Sequence, residues 1–177
     1  MRTGAKIALK HCCLGIQPSK TSHEDVFEKT HFTFYRCDVE VLDLQQPMYY
    51  DQIPTSVFEG IQGVILVYDI GRLGTFHNLV NWLDRIRAIE MIDDDVDEPI
   101  PVVIVGNKVD LRHWSTDVIK AREAVDLIDK LSELYGRKIP YFEVSSYRTK
   151  ITKRVSTKLM ELVCEDFDQK NKLVIGV

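Results

Sequence analysis

The sequence lacks a long hydrophobic run, an excess of basic residues and a regular cysteine spacing. No stretch approaches the ~18 consecutive apolar residues of a membrane span, and the first residues lack the apolar segment of a secretory signal. The 27 acidic residues outnumber the 23 basic ones, which argues against nucleic acid as a partner. We therefore expect a soluble, cytoplasmic protein without a membrane anchor.

The four cysteines do not have the spacing of a zinc site or a redox motif. Free thiols are the expectation for such cysteines in a reducing compartment. His11 beside Cys12 and Cys13 could suggest a metal site, but adjacent strand residues point to opposite faces. We therefore predict no metal site there.

The apolar segments predict a single α/β domain over residues 1–177. The predicted strands cover 7–14, 31–35, 39–44, 63–70, 101–106 and 141–144, with 15–21 as a loop. Arg36-Cys37-Asp38 is predicted to join the second and third strands as a hairpin. The predicted helices run from an N-cap at Thr75 to before Asp93, from Thr116 to Tyr135 with Gly136 as terminator, and from Ile151 to Phe167. This alternation predicts a mostly parallel central sheet with helices on its faces and one antiparallel hairpin strand.

Asn107-Lys108-Val109-Asp110 directly follows the buried strand 101–106, at the end where open α/β sheets bind ligands. This motif and the order of those described below resemble a Ras-superfamily small GTPase over nearly the whole chain. The resemblance implies a three-layer fold like that of P-loop NTPases. It also implies that Asp110 accepts two hydrogen bonds from guanine, Lys108 lies along the base and Asn107 ties the loop to the phosphate side. Adenine would leave that carboxylate unpaired.

Glu143-Val144-Ser145-Ser146-Tyr147 is similar to the family's Glu-Thr-Ser-Ala-Lys loop, whose backbone N–H groups contact the guanine oxygen. Ser145 and Ser146 are therefore further candidates for the base site. Ser146 replaces the small alanine, and Tyr147 replaces the lysine.

The phosphate half of the site departs from the family pattern, G-x-x-x-x-G-K followed by Ser or Thr. Aligned on Lys20-Thr21, residues 14–21 lack both glycines, and Pro18 removes a backbone donor. Lys20 and Thr21 remain as candidates for phosphate binding. The segment 21–27 is similar to the family's effector segment, so no room is left for the first helix, which is predicted to be missing.

Asp43 falls where the family's magnesium-linked aspartate lies, so Thr21 and Asp43 are the candidate magnesium ligands. Gln46 replaces the glycine that senses the γ-phosphate, and Pro47 replaces the glutamine that orients water. We therefore assign no catalytic residue. GTP or GDP with Mg²⁺ are the implied cofactors.

Effector or regulator proteins are the implied partners, through residues 21–27 and 43–54. The Glu24-Asp25 pair favours the Ras branch over the Rab branch. Loss of the first helix would expose one apolar face of the sheet. A partner protein, a second copy of the chain or the tail 172–177 could then cover that face. The tail has no cysteine near its end, so we do not expect prenylation.

Three functions remain open at this point. The first is a guanine-nucleotide-binding regulatory protein of intracellular signalling whose hydrolysis is weak or lost. The second is a pseudo-GTPase, which keeps the sheet as a protein-interaction module without nucleotide. The third is another kind of α/β enzyme, which lacks supporting motifs. The acidic run 93–98 is interpreted as a solvated loop because it lacks the ligand spacing of a calcium-binding loop.

Overall fold

The structure is a computed structural model, and it describes residues 7–10, 15–16, 35–36, 40–42, 60–90, 98–145 and 149–175. The strands are β1 (Ile7–Lys10), β2 (Gly15–Ile16), β3 (Tyr35–Arg36), β4 (Glu40–Leu42), β5 (Ile61–Asp69), β6 (Val102–Asn107) and β7 (Tyr141–Val144). The helices are α1 (Leu73–Glu90), α2 (Ala121–Tyr135) and α3 (Thr149–Ile175), with a 3-10 helix at Val109–His113. The predicted α/β class is confirmed.

Five strands form one sheet in the order β4-β1-β5-β6-β7. β5, β6 and β7 are parallel to one another, whereas β1 is antiparallel to both β4 and β5. The described strands form the expected mostly parallel sheet, but its antiparallel strand is β1 and does not belong to the predicted hairpin. β5 lies at the centre, as its apolar sequence predicts.

The hairpin predicted between 31–35 and 39–44 is wrong. β3 pairs with β2 in a separate two-stranded sheet, and β4 pairs with β1. Residues 15–16, predicted as loop, are therefore a strand, and the described part of the predicted first strand is Ile7–Lys10. The residues of a segment predict that it forms a strand. They do not specify which neighbouring strand will satisfy its backbone hydrogen bonds.

The central strands are buried on both faces because helices cover each side. Leu66 and Ile104 point to the α1–α2 side, while Ile65, Val103 and Val105 belong to the cluster on the α3 side. Val155 and Leu159 of α3 complete that second cluster. Over β5 to β7 the sheet face opposite α1 and α2 is therefore covered by α3, and the uncovered face expected from the sequence is not found there.

The helix boundaries differ from the predictions where side chains or loops use backbone groups. α1 begins at Leu73, so Thr75 is inside its first turn; the Thr75 hydroxyl donates to the Arg72 carbonyl at 2.8 Å. α2 begins only at Ala121, because the N–H of Ile119 donates to the Ile70 carbonyl at 2.9 Å and keeps that segment non-helical. Its end at Tyr135 is as predicted, with Gly136 left-handed at φ 80°.

The third helix extends beyond the predicted 151–167 at both ends. In the described part of the chain, no helix combines the length and apolar character needed to cross a bilayer.

Candidate functional site

The carboxyl ends of β5, β6 and β7 lie side by side because the three strands are parallel. The register pairs Asp69 with Asn107 and Asn107 with Val144. The loops that follow these strands therefore emerge at one edge of the sheet, which is where open α/β sheets bind ligands. The predicted base-site residues Asn107, Lys108, Asp110 and Ser145 all lie at this edge.

Asn107 and Lys108 form the turn that leads from β6 into the 3-10 helix. The Lys108 N–H donates to Asn107 Oδ1 at 2.8 Å. Lys108 has φ 67°, and among the described residues no other non-glycine residue has positive φ. This left-handed conformation costs roughly 1–2 kcal/mol for a residue with a side chain. Such strain is typical of sites where the backbone is held in place for a function.

Ser145 orients Asp110 across the gap between two loops. The Ser145 hydroxyl donates to Asp110 Oδ1 at 2.6 Å, and Ser145 is buried whereas Asp110 is partly exposed. The sequence had placed Ser145 at the site through its backbone N–H; the structure adds a side-chain role. Asp110 also lies in the first turn of the 3-10 helix, where a negative charge is favourable.

Asp69 is a site residue that the sequence analysis missed. Its side chain is 3% exposed, and it forms an ion pair with Lys108 Nζ. Its other oxygen accepts the N–H of Gly71 at 3.0 Å. An acidic residue that ends a buried apolar strand was the available signal, because burial of a carboxylate requires a partner.

Gly106 allows two tyrosine side chains to meet beneath these loops. Tyr68 pairs with Gly106 in the strand register, and the Tyr68 and Tyr141 hydroxyls lie 2.7 Å apart. A Cβ at position 106 would lie 2.7 Å from the Tyr141 oxygen and 2.8 Å from the Tyr68 oxygen. Only glycine leaves room for this hydrogen bond.

Glu143 and Arg112 extend that hydrogen-bond chain to the 3-10 helix. Arg112 donates to both oxygens of Glu143, at 2.5 and 2.6 Å, and to the Ile119 carbonyl at 3.1 Å. The Tyr141 hydroxyl donates to Glu143 at 2.8 Å. The network thus ties the loop after β6 to β7 and stabilises their relative position.

The charges and burial of this network shift the pKa values of its members. The Arg112 guanidinium lowers the pKa of Glu143 below its usual value, an effect to which the Tyr141 hydroxyl contributes. Burial raises the pKa of Tyr68 to about 12. Burial also raises the pKa of Tyr141. Both phenols are therefore neutral hydrogen-bonding groups at neutral pH.

The remaining predicted site residues lie outside the described part of the chain. They are Lys20, Thr21, Asp43 and Ser146, together with Gln46, Pro47, the segments 21–27 and 43–54 and most of the acidic run 93–98. The predicted loss of the first helix also concerns residues outside it. Within the described ranges, no three His, Cys, Asp or Glu side chains are grouped to hold a metal ion.

Comparison with known proteins identifies the family to which this arrangement belongs. The family model described as the Ras family matches residues 17–165, which include the base-site loops. The chain belongs to the Ras family. It is therefore a small GTPase of the Ras superfamily by descent, as the motifs predicted.

Several proteins with Ras-related names are similar to this Ras-family chain. RABA1c of Arabidopsis thaliana is 32% identical over 130 residues, which are 70% of this chain and 56% of that protein. Rab-3 of Caenorhabditis elegans is 28% identical, over 73% of this chain and 53% of that protein. Rab11B of Nicotiana tabacum is 41% identical, over 41% of this chain and 32% of that protein. The chain thus matches about half or less of the length of these relatives.

The family prediction is confirmed by these matches. The relatives above carry Rab names, whereas Glu24-Asp25 had favoured the Ras branch. That pair lies outside the described residues.

Proposed function

We propose that this Ras-family protein binds guanine nucleotides, GTP and GDP, and acts as a regulatory protein in intracellular signalling. The observation that supports this most strongly is the placement of Asp110. Its carboxylate is held by Ser145 at 2.6 Å, beside Asn107 and Lys108 at the ligand-binding edge of the sheet.

The donor and acceptor set at this edge fits guanine. A carboxylate is an acceptor only, so Asp110 can accept hydrogen bonds from both N1–H and the 2-amino group of guanine. Adenine presents an acceptor at N1 and no 2-amino group, which would leave the oriented carboxylate unsatisfied. Lys108 supplies its methylene chain to the base, and Ser145 and Ser146 supply the loop that faces the guanine oxygen.

For the phosphates and magnesium we propose Lys20 and Thr21 as phosphate contacts, with Thr21 and Asp43 as magnesium ligands. Ras-family proteins generally bind GTP or GDP with Mg²⁺, which is the basis of this assignment. Bound Mg²⁺ would neutralise charge on the phosphates. We further propose that hydrolysis is weak or lost, because Pro47 lacks a side chain that could orient water and Gln46 replaces the γ-phosphate-sensing glycine.

The proposed partners are effector or regulator proteins that contact residues 21–27 and 43–54 in the cytoplasm. This proposal follows from the general behaviour of Ras and Rab GTPases. Co-purification from cytosolic extract with GDP-loaded and GTP-loaded protein would test it. A partner captured only in one nucleotide state is the expected result.

A pseudo-GTPase is the alternative, and the sequence of 14–21 favours it. That segment lacks both glycines of a phosphate loop and contains Pro18. Fewer backbone N–H groups are therefore available to bind phosphates. Such a protein would keep the sheet and its helices as an interaction module without nucleotide.

Calorimetric titration of nucleotide-stripped protein with GDP and GTP in the presence of Mg²⁺ tests the two proposals against each other. Micromolar or tighter binding that Asp110→Ala abolishes would support the nucleotide-binding function. Asp129→Ala, which removes an exposed carboxylate of α2, is the matched control and is expected to bind as the unaltered protein does. Absence of binding by a cooperatively folded protein would contradict the nucleotide-binding function and favour the interaction module.

A further inference from the structure

Asp69 is a buried carboxylate at the ligand-binding edge that guanine recognition, as proposed above, does not use. It ends β5 and lies beside Asn107 in the strand register. Its side chain is 3% exposed, whereas that of its partner Lys108 is 29% exposed. The carboxylate thus lies beneath the lysine, on the protein side of the site.

The two oxygens of Asp69 have separate partners. Oδ1 accepts the N–H of Gly71 at 3.0 Å and shapes the turn after β5. Oδ2 accepts a hydrogen bond from Lys108 Nζ, and Arg72 Nε lies 3.9 Å from the same oxygen. The negative charge of the carboxylate is therefore needed for the ion pair with Lys108, whereas the turn needs only a hydrogen-bond acceptor.

The backbone at Asp69 is held from both sides. Its N–H donates to Thr75 Oγ1 at 3.0 Å, and the next N–H, that of Ile70, donates to the Asn107 carbonyl at 3.1 Å. These backbone hydrogen bonds hold the Asp69 carboxylate in a fixed position. A lysine side chain, in contrast, has four methylene groups and high rotamer entropy.

We propose that Asp69 is a positioning residue for Lys108: it anchors the ammonium group so that the lysine stem is held in place for the guanine base before the nucleotide arrives. This inference rests on the proposed nucleotide-binding function. An anchored side chain loses less conformational freedom on binding, so pre-organisation increases affinity without any added contact to the ligand. The anchor comes from the end of β5.

The first test is Asp69→Asn, measured by calorimetry with GDP. Asparagine is isosteric and keeps an Oδ1 acceptor for Gly71, so the turn is retained while the charge that holds Lys108 is removed. GDP affinity is expected to fall about tenfold or more, with cooperative unfolding preserved. Arg72→Gln is the control, because Arg72 pairs with the same carboxylate from a 55% exposed position; its affinity is expected to stay within about twofold.

A second readout separates an effect through Lys108 from an effect through Asp110. Lys108 packs along the base without reading the 2-amino group, so Asp69→Asn is expected to weaken GDP and inosine diphosphate by the same factor. Asp110→Asn is expected to change the ratio of these two affinities, because inosine lacks the 2-amino group that Asp110 binds. A change of that ratio in Asp69→Asn would overturn the inference.

The decisive comparison uses Lys108→Met, which keeps an unbranched stem without the ammonium group. If Asp69 acts through Lys108, adding Asp69→Asn to Lys108→Met causes no further loss of GDP affinity. A folded Asp69→Asn protein with unchanged affinity, or a full second loss in the double variant, would overturn the positioning role alone. Failure of the unaltered protein to bind GDP would instead overturn the proposed function and this role with it.

Discussion

The Ser145 hydroxyl donates to Asp110 Oδ1 at 2.6 Å, and this contact joins the loop after β7 to the loop after β6. The two residues are 35 positions apart in sequence. A carboxylate that is oriented before a ligand arrives does not have to be ordered on binding, which favours affinity and specificity. The first prediction concerns this contact.

Ser145→Ala removes the donor that orients Asp110. The free energy of unfolding is expected to fall by about 1 kcal/mol, as for a typical hydrogen bond, and GDP affinity by about tenfold. Urea unfolding and calorimetry measure the two effects. Ser115→Ala, which removes an exposed hydroxyl that accepts the Asp117 N–H at 3.1 Å, is the control and should leave GDP affinity unchanged. Equal affinity of Ser145→Ala and the unaltered protein would show that Asp110 is oriented without the hydroxyl.

Gly106→Ala introduces a methyl group between the Tyr68 and Tyr141 hydroxyls. Because its Cβ would lie 2.7 and 2.8 Å from these oxygens, the free energy of unfolding is expected to fall by about 1–3 kcal/mol. Chemical denaturation measures the change. Tyr141→Phe removes one of the two oxygens, so the double variant should lose less than the sum of the single losses.

Gly74→Ala is the matched control for Gly106→Ala. A Cβ at Gly74 meets no atom within 4 Å, and position 74 lies in the first turn of α1. Alanine is favoured over glycine in a helix, so this variant is expected to be more stable by up to about 1 kcal/mol. A loss of stability there comparable to that of Gly106→Ala would contradict the steric explanation.

Glu143 is expected to make the protein less stable at acidic pH. Its pKa in the folded state is lowered by Arg112 from the ordinary value of 4.5, so its contribution is fully present above pH 4.5 and is lost as the pH falls through the lowered pKa. Urea unfolding at pH 7 and at a series of acidic pH values measures this loss. Glu143→Gln should show a smaller decrease between the same pH values. An equal decrease in both proteins would assign the acid sensitivity to other carboxylates.

Tyr68 makes the stability dependent on alkaline pH in the opposite direction. Its pKa is raised from 10.0 to about 12 by burial, so its contribution is present below pH 10 and is lost as the pH rises toward 12. Ultraviolet difference spectroscopy should detect at least one phenol that ionises well above pH 10 in the folded protein. Tyr68→Phe should remove one such group. Titration of every tyrosine near pH 10 in the folded protein would contradict the buried network.

Local patterns in the amino-acid sequence were enough to predict several elements of the fold. The runs around Ile65 and Val103 predicted two buried neighbouring strands because both faces of such strands must be apolar. Gly136 marked the end of α2 because a left-handed cap favours glycine. The Asn107 to Asp110 motif, directly after a buried strand, predicted the Ras family, and the family match confirms that prediction.

Contacts between residues that are distant in sequence could not be predicted from such local patterns. The pairing of β3 with β2 instead of β4 depends on available sheet edges, and strand propensity carries no information about them. The contact of Asp69 with Lys108, 39 positions away, depends on the register of β5 against β6. The same register places Tyr68 beside Gly106, and the register of β6 against β7 places Tyr141 near them. The partner of a side chain cannot be predicted from its own place in the sequence, because the register that brings the two together is set by the packing of the whole sheet.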